Sequence, residues 1–337
     1  MPAPEAYILS ESDRGLLQRY GWEFRDAEQH GSDPVNGDSL PPITIGILCY
    51  NRCDDVLRTL HVVVHACPYP DKEIIVVDNA SSDRTVQRIH ELFPDVIVIA
   101  LKENTGTAGR NAFIRAARGR YLFCLDDDSL PGHAQHFTLI TEWMERHPEV
   151  SLLSTRCLQP RTGVDETKDF ALLGREWSGE RVYEGHYAFE CACCMRTDDI
   201  RAVGGYAAHD TWGAEGMELA MKLHMNGFRT VWHPGFTTLH FKQWKNRPAQ
   251  SGSIGAVHHR IAFFASYLPW AVLLPLLAAY TLRRVIEAIL HPSRLPGLAR
   301  GYLRGIASIP ASRHHRPKLT LRAALALGRW YIGILRW

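Results

Sequence analysis

Three consecutive carboxylates, Asp126-Asp127-Asp128, follow directly on the apolar run RYLFCL at 120–125. Acids at the end of a buried strand repel one another and lose hydration, and a cation relieves both costs. Side chains two positions apart on extended chain face the same way, so Asp126 and Asp128 converge while Asp127 points elsewhere. Paired carboxylates of this kind suit Mg²⁺ or Mn²⁺ bridging phosphate oxygens. The competing reading is a strand that merely runs into a polar turn. Two further polar pairs close apolar runs in the same manner: Tyr50-Asn51 after ITIGILC (43–49), and Asp78-Asn79 at the end of EIIVVD (73–78).

Such groups need a scaffold, and the chain supplies one from residue 43 onward. ITIGILC is a continuous β-branched run of the kind buried in a parallel sheet. A helix is expected over 54–66, with Asp54 placed to cap it. EIIVVD is a second strand, SDRTVQRIHELF (82–93) a helix with Val86, Ile89 and Phe93 on one face, and VIVIAL (96–101) a third strand. A helix over 107–118 precedes the fourth strand, RYLFCL. This alternation predicts an α/β fold with right-handed βαβ units and a doubly wound, mostly parallel sheet. Ligands then bind beyond the carboxyl ends of the strands, where all three polar clusters fall. Beyond them the pattern predicts a helix near 133–147, a strand near 150–155, a polar excursion at 159–185 and a helix over 215–226. VWHPG and TTLHF follow as two short strands.

Over roughly 43–245 the chain resembles family 2 glycosyltransferases of the GT-A type. CYNR (49–52), VVDNASSDRT (76–85), ENTGTAGRN (103–111) and LDDDSLP (125–131) occur in the order and spacing of that family. The resemblance implies a nucleoside-diphosphate sugar donor. It implies that Asp78 contacts the base, that Tyr50 and Asn51 line its pocket, and that Asp126 and Asp127 lie on the donor side. It further implies a metal bound by Asp128, with Asp126 beside it near the ribose and diphosphate. Arg110 is similar to the family's basic residue facing the nucleotide, the alternative being a solvated arginine at a helix start. WGAEGMELAMKL (212–223) is similar to the W-G-G-E-(D/N) acceptor motif of GT-A enzymes. That likeness implies that Trp212 packs against sugar and that Glu215 sits beside the reacting centre. The chain departs from the motif at Gly216, where inverting relatives carry an Asp as general base. An inverting displacement needs a base within hydrogen-bond reach of the acceptor hydroxyl. Glu215 is the favoured candidate, with Asp210 and Glu218 as alternatives; a retaining enzyme would need no base at that position. The family places a His near residue 240 as a further metal ligand, so His240 joins Asp126 and Asp128, while His233 is read as structural. Lys242, Trp244 and Lys245 would close over the diphosphate.

The first strand is not followed by GxGxxG, which disfavours a dinucleotide enzyme. CYNRCDD stands where a nucleotidyltransferase acting on sugar phosphates would carry a Gly-rich basic loop. A catalytically degenerate membrane scaffold finds support in Gly216 alone. The first residues lack a basic segment followed by an apolar run, so no secretory leader is expected. Eight cysteines without a CxxC pair suggest reduced thiols and a cytoplasmic setting, the crowded Cys191, Cys193 and Cys194 included.

Charge is unevenly spread. Residues 283–337 hold 11 Lys/Arg against one acid, Glu287, which leaves 27 basic and 35 acidic side chains elsewhere. A basic tail fits an anionic surface, and lipid is favoured over nucleic acid. Residues 261–282 carry no charge but include Pro269 and Pro275. A Pro-broken hairpin, or helices lying in the interface, keeps both the catalytic domain and the basic tail on the cytoplasmic face of the membrane. The alternative is a helical appendage whose apolar faces pack on the domain or on a second subunit. The expected organisation is an N-terminal extension (1–40), a GT-A catalytic domain (41–247) and a helical, membrane-associating C-terminal region (248–337). The expected activity moves a sugar to a glycan or lipid-linked acceptor in cell-envelope polysaccharide synthesis.

Overall fold

The computed structural model describes residues 10–19, 40–167, 182–185, 187–207, 215–242, 251–314 and 319–326. The chain divides into two units, Met1–Ala207 with Leu219–Gln243, and Ala208–Glu218 with Trp244–Trp337.

In the first unit nine strands among the described residues form one sheet. They are β1 (Ile43–Cys49), β2 (Lys72–Asp78), β3 (Ile97–Ala100), β4 (Tyr121–Asp126), β5 (Ser129–Pro131), β6 (Val150–Leu158), β7 (Tyr183–Glu184), β8 (Cys193–Arg196) and β9 (Arg229–His240). Their spatial order is β3-β2-β1-β4-β8-β6-β9-β5, with β7 against β9. β3, β2, β1 and β4 run parallel, as do β6 and β9, while β8, β5 and β7 are antiparallel to their neighbours. The mostly parallel sheet is therefore pure in its first half and mixed in its second. The strand order reverses between β1 and β4, which is the switch point where a crevice opens beyond the carboxyl ends.

Period-two alternation builds the core on both faces of this sheet. Ile74 and Val76 of β2, with Tyr121, Phe123 and Leu125 of β4, enter one cluster. Ile75 and Val77, with Leu122 and Cys124, enter the other. The crowded cysteines divide by the same rule: Cys194 points to the first cluster and Cys193 to the second. Cys191 precedes the strand and faces Cys157 across 3.7 Å.

Helices α1 (Glu11–Gln18), α2 (Cys53–His61), α3 (Thr85–Leu92), α4 (Arg110–Ala116), α5 (His136–Arg146) and α6 (Thr197–Ala202) belong to this unit. The extension is not merely polar linker, because α1 inserts Leu16 and Leu17 into the first cluster. Asp54 does not cap α2. The capping position falls on Arg52, whose side chain makes no cap bond, and Asp54 sits in the first turn, where a negative charge still favours the helix dipole. The helix expected over 54–66 changes to a π turn at Val62–Ala66, and Lys72 Nζ closes its end by donating to the carbonyls of Val63 (2.8 Å) and Cys67 (2.5 Å). VWHPG and TTLHF are one strand, β9, and not two.

Helix α7 (Glu215–Met225) spans the division of the chain, its first turn belonging to the second unit and Leu219 onward to the first. The second unit contains α8 (Ser251–Tyr267), α9 (Trp270–Leu290), α10 (Leu295–His314) and α11 (Leu321–Ala326). Pro269 takes extended backbone (φ −64°, ψ 151°) at the start of α9, which splits the uncharged run between two helices. No helix among the described residues is long and apolar enough to cross a membrane. α8 and α10 approach closely at two glycines. A Cβ on Gly301 would stand 2.6 Å from the Ile254 carbonyl oxygen, and one on Gly305 would stand 2.7 Å from Ile261 Cδ1.

Candidate functional site

Strand register assembles the site. Leu48 of β1 pairs with Asp126 of β4, and Cys49 pairs with Asp78 of β2, so these residues end their strands along one edge. Beyond Asp126 the chain turns back, its amide donating to Ser129 Oγ at 2.8 Å. β5 then runs antiparallel to β9 with Ser129 opposite His240, and the Phe241 amide donates to the Asp128 carbonyl at 2.7 Å. This pairing carries His240 Nε2 to 3.2 Å from Asp128 Oδ1. Ligand atoms of Asp126, Asp128 and His240 all lie within 4.8 Å of one another. Two carboxylates and one imidazole converging on a point fit a six-coordinate cation such as Mn²⁺ or Mg²⁺, with positions left for phosphate and water.

Each member of this trio is held from behind. Arg110, buried beneath the edge, pairs with Asp126 and lies 5.8 Å from the Tyr206 ring. It is therefore not a solvated helix-start arginine. Arg52 bridges Asp127 (3.0 Å) and Asp128. His240 Nδ1 meets Glu166 Oε2 at 2.6 Å, and Lys242 Nζ stands 3.4 Å from the other Glu166 oxygen. Asp127 turns away from the trio toward β1, where its Oδ2 accepts from the Tyr50 amide at 3.4 Å, and Thr59 donates to its carbonyl at 2.7 Å.

The charges follow from these contacts. Burial and the neighbouring Asp128 charge push the Asp127 carboxyl up to about 8, against the pull of Arg52. Burial also opposes the ionised form of Asp128, but His240 and Arg52 outweigh it and hold this carboxyl below its usual range. His240 is raised well above its ordinary value: burial works against the imidazolium, and Cys191, Asp128 and Glu166 overcome it.

On the donor side the two strand-end loops are laced together. Asn51 takes a left-handed backbone (φ 52°), its amide donates to Ser81 Oγ (2.9 Å), and its Oδ1 accepts from the Ser82 amide (2.7 Å). Asn tolerates that backbone better than most residues. Asp78 is buried and accepts from the Ser81 amide at 3.0 Å. Asn79 ties this loop to the next, accepting from the Thr105 amide (2.9 Å) and donating to the Gly106 carbonyl (3.0 Å). Tyr50 stands exposed at the mouth.

Glu215 is buried in the second unit, where its Oε2 lies 3.6 Å from His259 Nδ1. Glu218 is buried too and accepts from the Tyr267 hydroxyl at 2.7 Å. Asp210, Trp212, Trp244 and Lys245 lie outside the described residues. His233 is enclosed by aromatic rings, 4.4 Å from Phe236 and 5.3 Å from Trp143 between centroids. Sequence reasoning missed Arg52, although it ends the CYNR motif, and Glu166, which lies inside the polar excursion.

Residues 44–195 match the family described as glycosyl transferase family 2. The chain carries a family 2 glycosyltransferase domain. Over 99 residues it is 38% identical to poly-beta-1,6-N-acetyl-D-glucosamine synthase of Staphylococcus aureus (strain MSSA476), covering 28% of this chain and 24% of that one. Over 98 residues it is 38% identical to the succinoglycan biosynthesis protein ExoO of Rhizobium meliloti (strain 1021), covering 28% of each. The match thus spans about a quarter of these relatives' length. Among solved structures the mannosyltransferase PcManGT of Pyrobaculum calidifontis, in complex with GDP-Man and Mn²⁺, superposes with a TM-score of 0.52 at 20% identity, covering 94% of this chain and 87% of that one. That likeness shows the GT-A fold.

Proposed function

We propose that this chain moves a sugar from a nucleoside-diphosphate sugar to a hydroxyl acceptor, with Mn²⁺ or Mg²⁺ as cofactor. The reading is carried by the convergence of Asp126, Asp128 and His240 within 4.8 Å on the edge that also presents Asp78. Asp126, Asp128 and His240 would hold the cation. Bound there, it supplies Lewis-acid stabilisation of the charge that develops on the departing nucleoside diphosphate. Glu166 fixes the His240 ring so that Nε2 faces Asp128. Arg52 and Arg110 hold Asp128 and Asp126 in place through ion pairs. Asp78 receives the base in a pocket lined by Tyr50 and Asn51, and Glu215 takes the proton of the acceptor hydroxyl, with Trp212 against the sugar.

The two curated relatives are named for polysaccharide synthesis, which supports a glycan acceptor; its being lipid-linked, in cell-envelope assembly, rests on the apolar, basic C-terminal region. GDP-Man and Mn²⁺ in the mannosyltransferase complex support the donor class and the metal. The membrane partner and a seat on the cytoplasmic face rest on the second unit, where α9 exposes Leu282, Ile289 and Leu290 beside a basic surface.

The test is direct. Purified full chain with Mn²⁺ is incubated with a panel of nucleotide sugars, with and without lipid extract, and released nucleoside diphosphate is measured. At least one sugar should give turnover, and Asp128→Ala should lose metal-dependent donor binding in calorimetry. No release from any sugar, or unchanged donor binding in the variant, overturns the reading.

A further inference from the structure

Cys157 is the last residue but one of β6 and Cys191 lies just before β8, 34 positions away, yet their sulfurs stand 3.7 Å apart. Both thiols are free, and with His240 they form a second trio whose ligand atoms all lie within 4.8 Å. Two thiolates at ~2.3 Å from a tetrahedral ion sit about 3.8 Å from each other, so the observed separation already suits a soft divalent cation. We propose that Cys157, Cys191 and His240 form a seat for a thiophilic cation of the Zn²⁺ class, distinct from the carboxylate seat of Asp126 and Asp128 but sharing its imidazole.

The chemistry of the donors argues for this selectivity. Thiolate sulfur with one imidazole favours Zn²⁺ over Mg²⁺ or Mn²⁺, whereas carboxylate oxygens with one imidazole tolerate the harder ions. Binding releases the two thiol protons and the Nε2 proton of the His240 imidazolium to solvent, forms two metal–sulfur bonds and one metal–nitrogen bond, and leaves the fourth position of the tetrahedron to a solvent oxygen. No electron is transferred.

His240 makes the two seats exclusive. Its Nδ1 is held by Glu166 at 2.6 Å, which leaves Nε2 as the one ring nitrogen to serve a metal. A single lone pair binds one ion at a time. A thiophilic cation therefore draws Nε2 from Asp128, now 3.2 Å away, and weakens the carboxylate seat. The competition rests on the metal assignment of the proposed function; the soft seat does not.

The experiment uses the reduced full chain. Titration with Co²⁺ should develop a thiolate-to-metal charge-transfer band that saturates at one equivalent and is lost in both Cys157→Ser and Cys191→Ser. Absence of the band, or its persistence in both variants, removes the soft seat. In parallel, bound Mn²⁺ is followed by electron paramagnetic resonance while Zn²⁺ is added. Zn²⁺ should release Mn²⁺ from the wild type at roughly tenfold lower concentration than from either serine variant, a difference of about 1.4 kcal/mol. Equal release from all three proteins overturns the shared nitrogen. Failure of Mn²⁺ to bind at all sinks the carboxylate seat and the competition, while the charge-transfer band still decides the soft seat.

Discussion

The two nitrogens of His240 have separate duties, and Glu166 sets which does which. A carboxylate 2.6 Å from Nδ1 fixes the ring's tautomer and plane, so Nε2 faces Asp128. Glu166→Ala should therefore weaken Mn²⁺ binding about 10–100-fold in calorimetry. The exposed Glu149→Ala serves as control, and equal affinities would remove the orienting role. This duty was not legible in the sequence, because Glu166 lies 74 positions from its partner within a polar stretch of no periodicity. Arg52 was hidden likewise, its partners lying 75 and 76 positions on. Asp126, Asp128 and Asp78 could be read because strand ends and period-two geometry are local facts. Another residue sets a pH limit. His136 is buried against Phe123 and Phe137, and burial, reinforced by His133, depresses its pKa to about 3. The folded state then binds fewer protons than the unfolded one between about 3 and 6.5, so stability is complete above 6.5 and falls as pH drops, by at most about 1.4 kcal/mol per pH unit from this group. In urea melts His136→Phe should lose less stability than wild type between about pH 7 and pH 5. Parallel losses would mean that the imidazole charges without cost in the fold.

At the scale of elements, α1 shows how a segment read as an extension becomes part of the core. Ser10 caps it by accepting from the Asp13 amide at 3.1 Å, and Asp13 reaches Arg58 of α2 at 3.7 Å. Leu17 is fully buried in the main cluster. Leu17→Ala should cost about 2–5 kcal/mol in chemical denaturation, as a cavity in a packed core does; a loss below about 1 kcal/mol would mean that α1 frays without consequence. The sequence concealed this because eight helical residues carrying only two buried leucines give a weak periodic signal. β9 concealed itself differently. Pro234-Gly235 reads as a strand break, yet the register against β6 jumps from Thr155↔His233 to Arg156↔Thr237. Residues 234–236 bulge out of the ladder, so the missing proline N–H costs no strand hydrogen bond and the strand continues to His240. The apolar runs of β1, β2 and β4 were legible because burial on both faces favours apolar residues at nearly every position.

The whole chain partitions its charge, and the second unit shows what that partition leaves at its surface. Glu287, the one acid from residue 283 onward, is occupied by Arg284 at 2.6 Å and Arg294 at 3.2 Å. Arg300 and Arg304 are exposed on α10. Ile289 and Leu290 at the end of α9 are 70% and 68% exposed, too much apolar surface to be explained by packing within the unit. Apolar side chains flanked by cations are the two attractions that bind an interfacial helix to anionic lipid, about 1 kcal/mol arising from each basic residue near the surface. Full chain should therefore co-sediment with vesicles containing phosphatidylglycerol, less with phosphatidylcholine alone, and less again as salt screens the charges. Ile289→Glu combined with Leu290→Glu should weaken the anionic binding roughly tenfold, because it removes the apolar part and adds two repelled charges. If the wild type ignores both kinds of vesicle, and the same double variant instead dissociates a dimer in sedimentation, then that apolar surface is covered by a second copy of the chain rather than by lipid.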